Sequence, residues 1–281
     1  MTRAAAFFDL DKTVIAKSSA LAFGRPFFNG GLINRRVVLK TAYAQFVFSL
    51  AGADAQQMER LRAQISAMCT GWDVATVHEI VRETLHEIVD PLVYAEAADL
   101  IEEHRAAGRE IVIVSSSGAE MVEPIGEMLG ADRVVATRMV TAEGRYTGEI
   151  EFYAYAENKA AAMHRIAEEG GYDLADCYAY SDSITDLPML SAVGHPTAVN
   201  PDRALRKAAL QHGWPVRQFE RPVSMRARFS APPTPVVTGA AMGVGAAVVG
   251  LAWYARHRAL RAGLAAAPPV PVTGRRRRRG A

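Results

Sequence analysis

Cysteine is scarce in this chain: Cys69 and Cys177 are the 2 among 281 residues. Two thiols cannot build a disulfide framework, and their scarcity points to a reducing compartment. Aromatic residues are also few, at 8%, yet 50% of the chain is hydrophobic and 22% charged, which excludes intrinsic disorder and a fibrous repeat. Met1-Thr2-Arg3 precedes an apolar run that stops at Asp9, too short for a secretory signal, so a cytosolic body is expected. No internal repeat is visible. The most informative absence concerns charge. Asp, Glu and Lys all stop at Glu220, whereas 11 Arg follow it. Residues 1–220 hold 21 basic against 30 acidic side chains, a net −9, while residues 221–281 carry +11. The overall charge of +2 therefore averages two unlike segments.

The basic segment divides further. Residues 221–235 form a linker that ends in Ala231-Pro232-Pro233-Thr234-Pro235. Residues 236–255 are expected to form a hydrophobic helix, with no charge from Val236 to Tyr254. At about 1.5 Å per residue that length just reaches across a hydrocarbon layer of roughly 30 Å. Gly239 and Gly243 have the spacing that lets membrane helices approach closely and self-associate. Trp253 and Tyr254 sit where interfacial aromatics belong, with Arg256, Arg258 and Arg261 beyond them. Residues 256–281 close on Arg275 to Arg279. Arg on both flanks leaves two membrane arrangements open, a spanning helix or one lying among anionic headgroups. Packing of the helix on the body is the non-membrane alternative. No aromatic residues interleave the Arg clusters and the body is acidic, so no nucleic acid is expected as a partner.

In the body, Ala4 to Phe8 reads as a buried strand. Four helices are expected near 19–28, 33–50, 55–69 and 73–89, the later two capped by Asp54 and Asp73. A helix over 96–107 leads into Ile111-Val112-Ile113-Val114, a β-branched run suited to a central parallel strand. A helix near 119–129, a hairpin around residues 142–145 and a helix over 159–169 follow. A strand over 177–180, a helix over 187–193 and a last strand over 196–199 complete the pattern. Such alternation predicts an α/β fold, a Rossmann-like, mainly parallel sheet. Its core spans 1–15 and 92–220, with an all-helical cap inserted at 16–91. Ligands in such sheets bind beyond the carboxyl ends of the strands.

The candidate residues follow those strands. Asp9 and Asp11, two apart at the end of the first strand, point to one side. One carboxylate can attack as a nucleophile while its neighbour handles protons, and adjacent carboxylates invite a divalent cation. A turn or helix cap would use the same spacing. Ser115, Ser116, Ser117 and Gly118 lead into a helix, where a hydroxyl and free N–H groups can hold an anion or serve as an N-cap. Lys159 opens a helix and can neutralise phosphate oxygens or lie on the surface. Asp182 and Asp186 follow a short strand and can ligate a metal or cap a helix. His164 and His195 have no metal-ligand spacing.

In this order the set Asp9 to Thr13, Ser115, Lys159, and Asp182 with Asp186 resembles the four motifs of the haloacid-dehalogenase-like superfamily. The resemblance covers roughly residues 4–215. The helical insertion resembles the cap of the phosphoserine-phosphatase-like branch. More narrowly, the chain resembles actinobacterial hydrolases of that branch related to inhibition of morphological differentiation proteins. The resemblance implies a Mg²⁺-dependent phosphatase. Asp9 is then the nucleophile and Asp11 the acid–base, with Ser115, Ser116 and Lys159 holding the phosphoryl group. The metal set is Asp9, Asp11 (through its backbone carbonyl), Asp182 and Asp186. A small phosphorylated substrate follows, with phosphoryl transfer to another acceptor, or a catalytically idle regulatory module, as alternatives. Phosphoserine phosphatases place an ammonium-binding acid where this chain has Ser18, and usually Asn where it has Thr185. The first departure argues against phosphoserine as substrate, and the second implies an altered phosphate contact.

Overall fold

The computed structural model describes residues 3–33, 63 and 66–223. A seven-stranded sheet has the order β4-β3-β2-β1-β5-β6-β7. β1 (Ala5–Phe8) lies between β2 (Glu110–Gly118) and β5 (Tyr178–Ser181), parallel to both. β3 (Arg133–Ala142), β6 (His195–Val199) and β7 (Val216–Arg217) continue the parallel set. Only β4 (Arg145–Phe152) runs antiparallel, paired with β3 through a two-residue turn. Both turn residues, Glu143 and Gly144, have positive φ, which matches the twist of a tight hairpin.

The central strands explain the two cores. Side chains alternate along a strand, so Ala6, Phe8, Ile111 and Ile113 face one apolar cluster while Ala5, Phe7, Val112 and Val114 face the other. α6 (Glu157–Gly170), α7 (Leu187–Ser191) and α8 (Arg203–His212) cover the second face through residues such as Met163, Leu190 and Leu205. α4 (Ala95–Ala106) and α5 (Ala119–Leu129) cover the first. The described insertion helices are α1 (Ser19–Ala22), α2 (Gly24–Asn29) and α3 (Val74–Ile88). Phe23 between α1 and α2, Phe27 of α2, and Val81 and Leu85 of α3 share the first cluster with Ile111 and Ile125. The aromatic residues Phe23 and Phe27 are therefore core. A shorter polar chain runs through this face: His104 is buried, with Nε2 2.7 Å from the Tyr180 hydroxyl and Nδ1 3.1 Å from an Arg109 nitrogen. Arg109 can only donate, so the His104 proton sits on Nε2.

The connections into and out of the insertion are tied together. Ala16 N–H donates to the Leu92 carbonyl at 2.8 Å and Tyr94 N–H to that of Val14 at 3.0 Å. These bonds hold the chain leaving β1 against the chain returning to α4.

Several boundaries differ from expectation. The helix expected over 19–28 is broken into α1 and α2, because Pro26 has no N–H for the carbonyl four residues back. The helix expected over 73–89 forms as Val74–Ile88, capped by Asp73, which accepts Thr76 N–H at 2.9 Å. β2 runs on through the serines to Gly118, beyond the apolar residues that announced it. α8 and the two-residue β7 extend the fold past Val199. The helix expected over 33–50, most of that over 55–69 with its cap Asp54, and the hydrophobic helix 236–255 lie outside the described residues. Among the described residues no helix is long and apolar enough to cross a membrane.

Candidate active site

The carboxyl ends of β1, β2 and β5 bring the candidate residues to one edge of the sheet. Asp9 follows β1, and its N–H donates to the Tyr180 carbonyl at 2.9 Å, which extends the pairing with β5 by one residue. The chain then turns sharply. Val14 and Ile15 both donate to the Leu10 carbonyl, at 2.9 and 3.0 Å. Lys12 carries the turn with φ of 61°, an uncommon backbone state for a residue with a side chain.

Asp9 is 5% exposed and accepts two hydrogen bonds. Lys159 Nζ donates to Oδ1 at 2.7 Å and the Thr13 hydroxyl to Oδ2 at 3.2 Å. Lys159 is 2% exposed, and its ammonium donates equally closely to Asp186 Oδ2, at 2.8 Å. The Ser181 hydroxyl completes the Asp186 site at 2.7 Å. A buried lysine thus bridges two buried carboxylates that start 27 and 150 residues away from it in sequence. The helix that delivers it begins after Ala156, whose φ of 47° and ψ of −119° are strained for alanine. Strain of this kind persists where surrounding contacts over-determine the backbone, as the Lys159 bonds do here.

The electrostatics of the cluster are unbalanced. Burial pushes the Asp9 carboxyl up to about 8; Lys159 opposes the shift, and Asp186 and Asp182 add to it. Burial likewise pushes Asp182 up to about 7, opposed by Lys12 and reinforced by Asp186 and Asp202. Burial alone would lower the Lys159 ammonium, but Asp9 and Asp186 outweigh it and raise it. Three nearly buried carboxylates thus share one buried ammonium. Asp182, at 9% exposure, accepts no side-chain hydrogen bond among the described residues. Hard, buried, under-neutralised oxygens are the donor set that suits a divalent cation such as Mg²⁺. Asp9 and Asp182 are the side chains that could hold it. Among the described residues no three His, Cys, Asp or Glu side chains form a ready-made cage, so backbone oxygen or water would have to complete the shell.

Asp11 faces a different set of partners. It accepts the Ser19 N–H and the Ser117 hydroxyl rather than a cation from the Lys159 cluster. Ser115, 1% exposed, ends the buried part of β2, and its Oγ accepts Ser117 N–H at 3.2 Å. Ser116 is exposed, and its carbonyl accepts the Thr137 hydroxyl at 2.8 Å. The structure thus joins Asp9, Lys159 and Asp186 directly. It places Asp182 within their electrostatic reach and links Asp11 to Ser115 through Ser117. Ser19 and Ser181 are polar partners that the sequence did not mark as functional, and Ser117, named there only within an anion-holding stretch, bonds Asp11 instead. Ser117 and Ser181 adjoin marked residues, but Ser19 carries no local signal.

Known proteins resemble this chain in sequence and in fold. A family model described as haloacid dehalogenase-like hydrolase matches residues 6–191. The inhibition of morphological differentiation protein of Streptomyces azureus is 63% identical over 263 residues, covering 92% of this chain and 95% of the relative. A Mycobacterium tuberculosis protein named phosphoserine phosphatase is 33% identical over 247 residues, covering 87% of this chain and 80% of its own. Among solved structures, a protein of unknown function from Bordetella pertussis Tohama I superposes with a TM-score of 0.68 and 26% identity. That match covers 77% of this chain and 99% of the other.

Proposed function

Since the chain belongs to the haloacid dehalogenase-like hydrolase family, we propose that its edge cluster hydrolyses phosphate monoesters through an aspartyl-phosphate on Asp9. The observation that carries this is the Lys159 ammonium, buried and bonded at once to Asp9 and Asp186 at 2.7 and 2.8 Å.

The residues divide the work as their surroundings dictate. Lys159 and Thr13 fix the Asp9 carboxylate, so the attacking oxygen has one orientation. An ammonium has three donors, and two are committed here, which leaves one for a phosphoryl oxygen. Asp186 and Ser181 hold that ammonium in place. Asp9 oxygen forms a bond to phosphorus as the ester oxygen departs, taking a proton from Asp11 in its acid form. Asp11, now a carboxylate, accepts a proton from water, which attacks phosphorus and releases inorganic phosphate and free Asp9. Ser115 and the Ser116 N–H are assigned to the phosphoryl oxygens. Asp9, Asp182 and the Asp11 carbonyl, with Asp186 nearby, would hold Mg²⁺, which would supply positive charge that keeps Asp9 ionised and offsets the phosphoryl negative charge. Positioning and electrostatics supply most of the catalysis in such a transfer.

The substrate is a small phosphate monoester. The relative named phosphoserine phosphatase supports the ester class. Ser18, standing where an acid receives the ammonium in phosphoserine phosphatases, argues against phosphoserine itself. Membrane association through residues 236–255 and the flanking Arg, with the catalytic body facing the cytoplasm, is supported by the sequence alone. Hydrolysis of p-nitrophenyl phosphate, with and without Mg²⁺, in wild type and Asp9→Asn tests the catalytic proposal. Mg²⁺-dependent turnover that disappears in the variant is expected, and equal rates in both proteins refute it. Fractionation tests the tail: deletion of 231–281 moves the protein from membrane to supernatant, and a full-length protein already in the supernatant refutes the anchor.

A further inference from the structure

Asp11 is gripped from two directions. Its Oδ1 accepts the Ser19 backbone N–H at 2.7 Å, and its Oδ2 accepts the Ser117 hydroxyl at 2.9 Å. The Ser19 hydroxyl in turn donates to Ser117 Oγ at 2.9 Å. A serine hydroxyl has a single proton, and that of Ser117 is committed to Asp11, so Ser117 must accept from Ser19. The chain therefore runs one way, Ser19 to Ser117 to Asp11, and each bond polarises the next. Ser19 is fully buried, so its hydroxyl has no water to turn to.

The grip also ends a helix. The first N–H groups of a helix need partners outside it. Ser18, at the N-cap of α1, makes no side-chain cap bond. Asp11 caps the first residue of α1 instead, from eight positions upstream. Its carboxylate cannot swing without uncapping α1 and taking the acceptor from the Ser117 hydroxyl. One side chain thus reports both the position of β2, through Ser117, and the start of the helical insertion, through Ser19.

We propose that Ser117 is a positioning residue that aims the Asp11 carboxylate at the leaving-group oxygen, with Ser19 holding Ser117 in turn. Ser117 need not touch the substrate. The proposal rests on the phosphatase reading above and on the role of Asp11 as acid within it. It has a consequence that a purely structural serine lacks. Protonation of the departing oxygen matters little for a good leaving group such as p-nitrophenolate and more for a poor one such as phenolate. Loosening Asp11 must therefore cost more with phenyl phosphate than with p-nitrophenyl phosphate. A loss of folded protein lowers both rates alike and leaves their ratio unchanged.

The experiment measures kcat/KM for the two aryl phosphates with saturating Mg²⁺ in wild type, Ser117→Ala and Ser117→Thr. Ser117→Ala is expected to lose about 10–100-fold on phenyl phosphate and several-fold less on p-nitrophenyl phosphate, in keeping with the size of general acid effects. Ser117→Thr, which keeps the hydroxyl, restores the wild-type ratio. Equal losses on both esters, no loss on either, or a threonine variant no better than alanine overturns the proposal while leaving the phosphatase intact. A wild type inactive on both esters removes the phosphatase reading and the proposal with it.

Discussion

Replacing Lys159 with methionine keeps the length of the side chain and removes its charge. Lys159 is 2% exposed and donates to two carboxylates that are themselves 5% and 2% exposed. Removing one partner of a buried ion pair commonly costs about 3–5 kcal/mol, because the remaining charge is left uncompensated. Against an ordinary stability of about 5–15 kcal/mol the loss is large. It also depends on pH. A buried carboxylate without its cation escapes the penalty by binding a proton, and Asp9 already titrates near 8 with Lys159 in place. In Lys159→Met the Asp9 carboxyl therefore stays protonated to higher pH. The sign follows: a carboxyl raised above its unfolded value adds stability at low pH and loses it as pH rises through its folded value. The variant is expected to lie closest to wild type in acid and furthest from it above about pH 8. Urea unfolding of metal-free protein at pH 5.5, 7 and 8.5 reads this directly, since a change in midpoint at constant slope is a change in stability. Loss of a positioned donor should also lower kcat by about 10²–10³-fold. Equal midpoints for the two proteins at all three pH values would refute the buried bridge.

Other perturbations test separate parts of the account. Phe8 is 1% exposed and stacks on Tyr180 with ring centroids 4.7 Å apart; Phe8→Ala should cost about 3–5 kcal/mol in urea unfolding. Burial, with Arg109 and Arg217, pushes His104 down to about 4, so its contribution is present above its unfolded value near 6.5 and is lost as pH falls toward 4. Wild type should lose up to about 3 kcal/mol more than His104→Gln between pH 7 and 4, and parallel pH–stability curves contradict this. Mg²⁺ must displace protons from Asp9 and Asp182, so it should raise Tm more at pH 8 than at pH 5; an equal rise argues against these ligands.

What was legible in the sequence is what short-range chemistry writes there. The apolar runs Ala4 to Phe8 and Ile111 to Val114 announce central strands because both faces are covered, and Asp73 announces its helix by capping it. Pro26 announced a break that a search for helical spacing passes over. The site is legible as a set of residue types following strands, since each motif is local. Their joining is not. Nothing near Lys159 in sequence says that its ammonium is buried, because Asp9 lies 150 residues away. Ser19 meets Ser117 across 98 residues, so a serine that looks like an ordinary helix start becomes part of the grip on Asp11. β7 escaped because two residues carry no periodicity.

The central claim is a covalent bond between Asp9 and phosphorus. Protein mixed with p-nitrophenyl phosphate and Mg²⁺ can be quenched in acid, digested and weighed by mass spectrometry. The peptide from Ala4 to Lys12 should carry one added phosphoryl group on Asp9, absent from Asp9→Asn. Turnover of the ester with that peptide never modified, or with the group on another residue, contradicts the account.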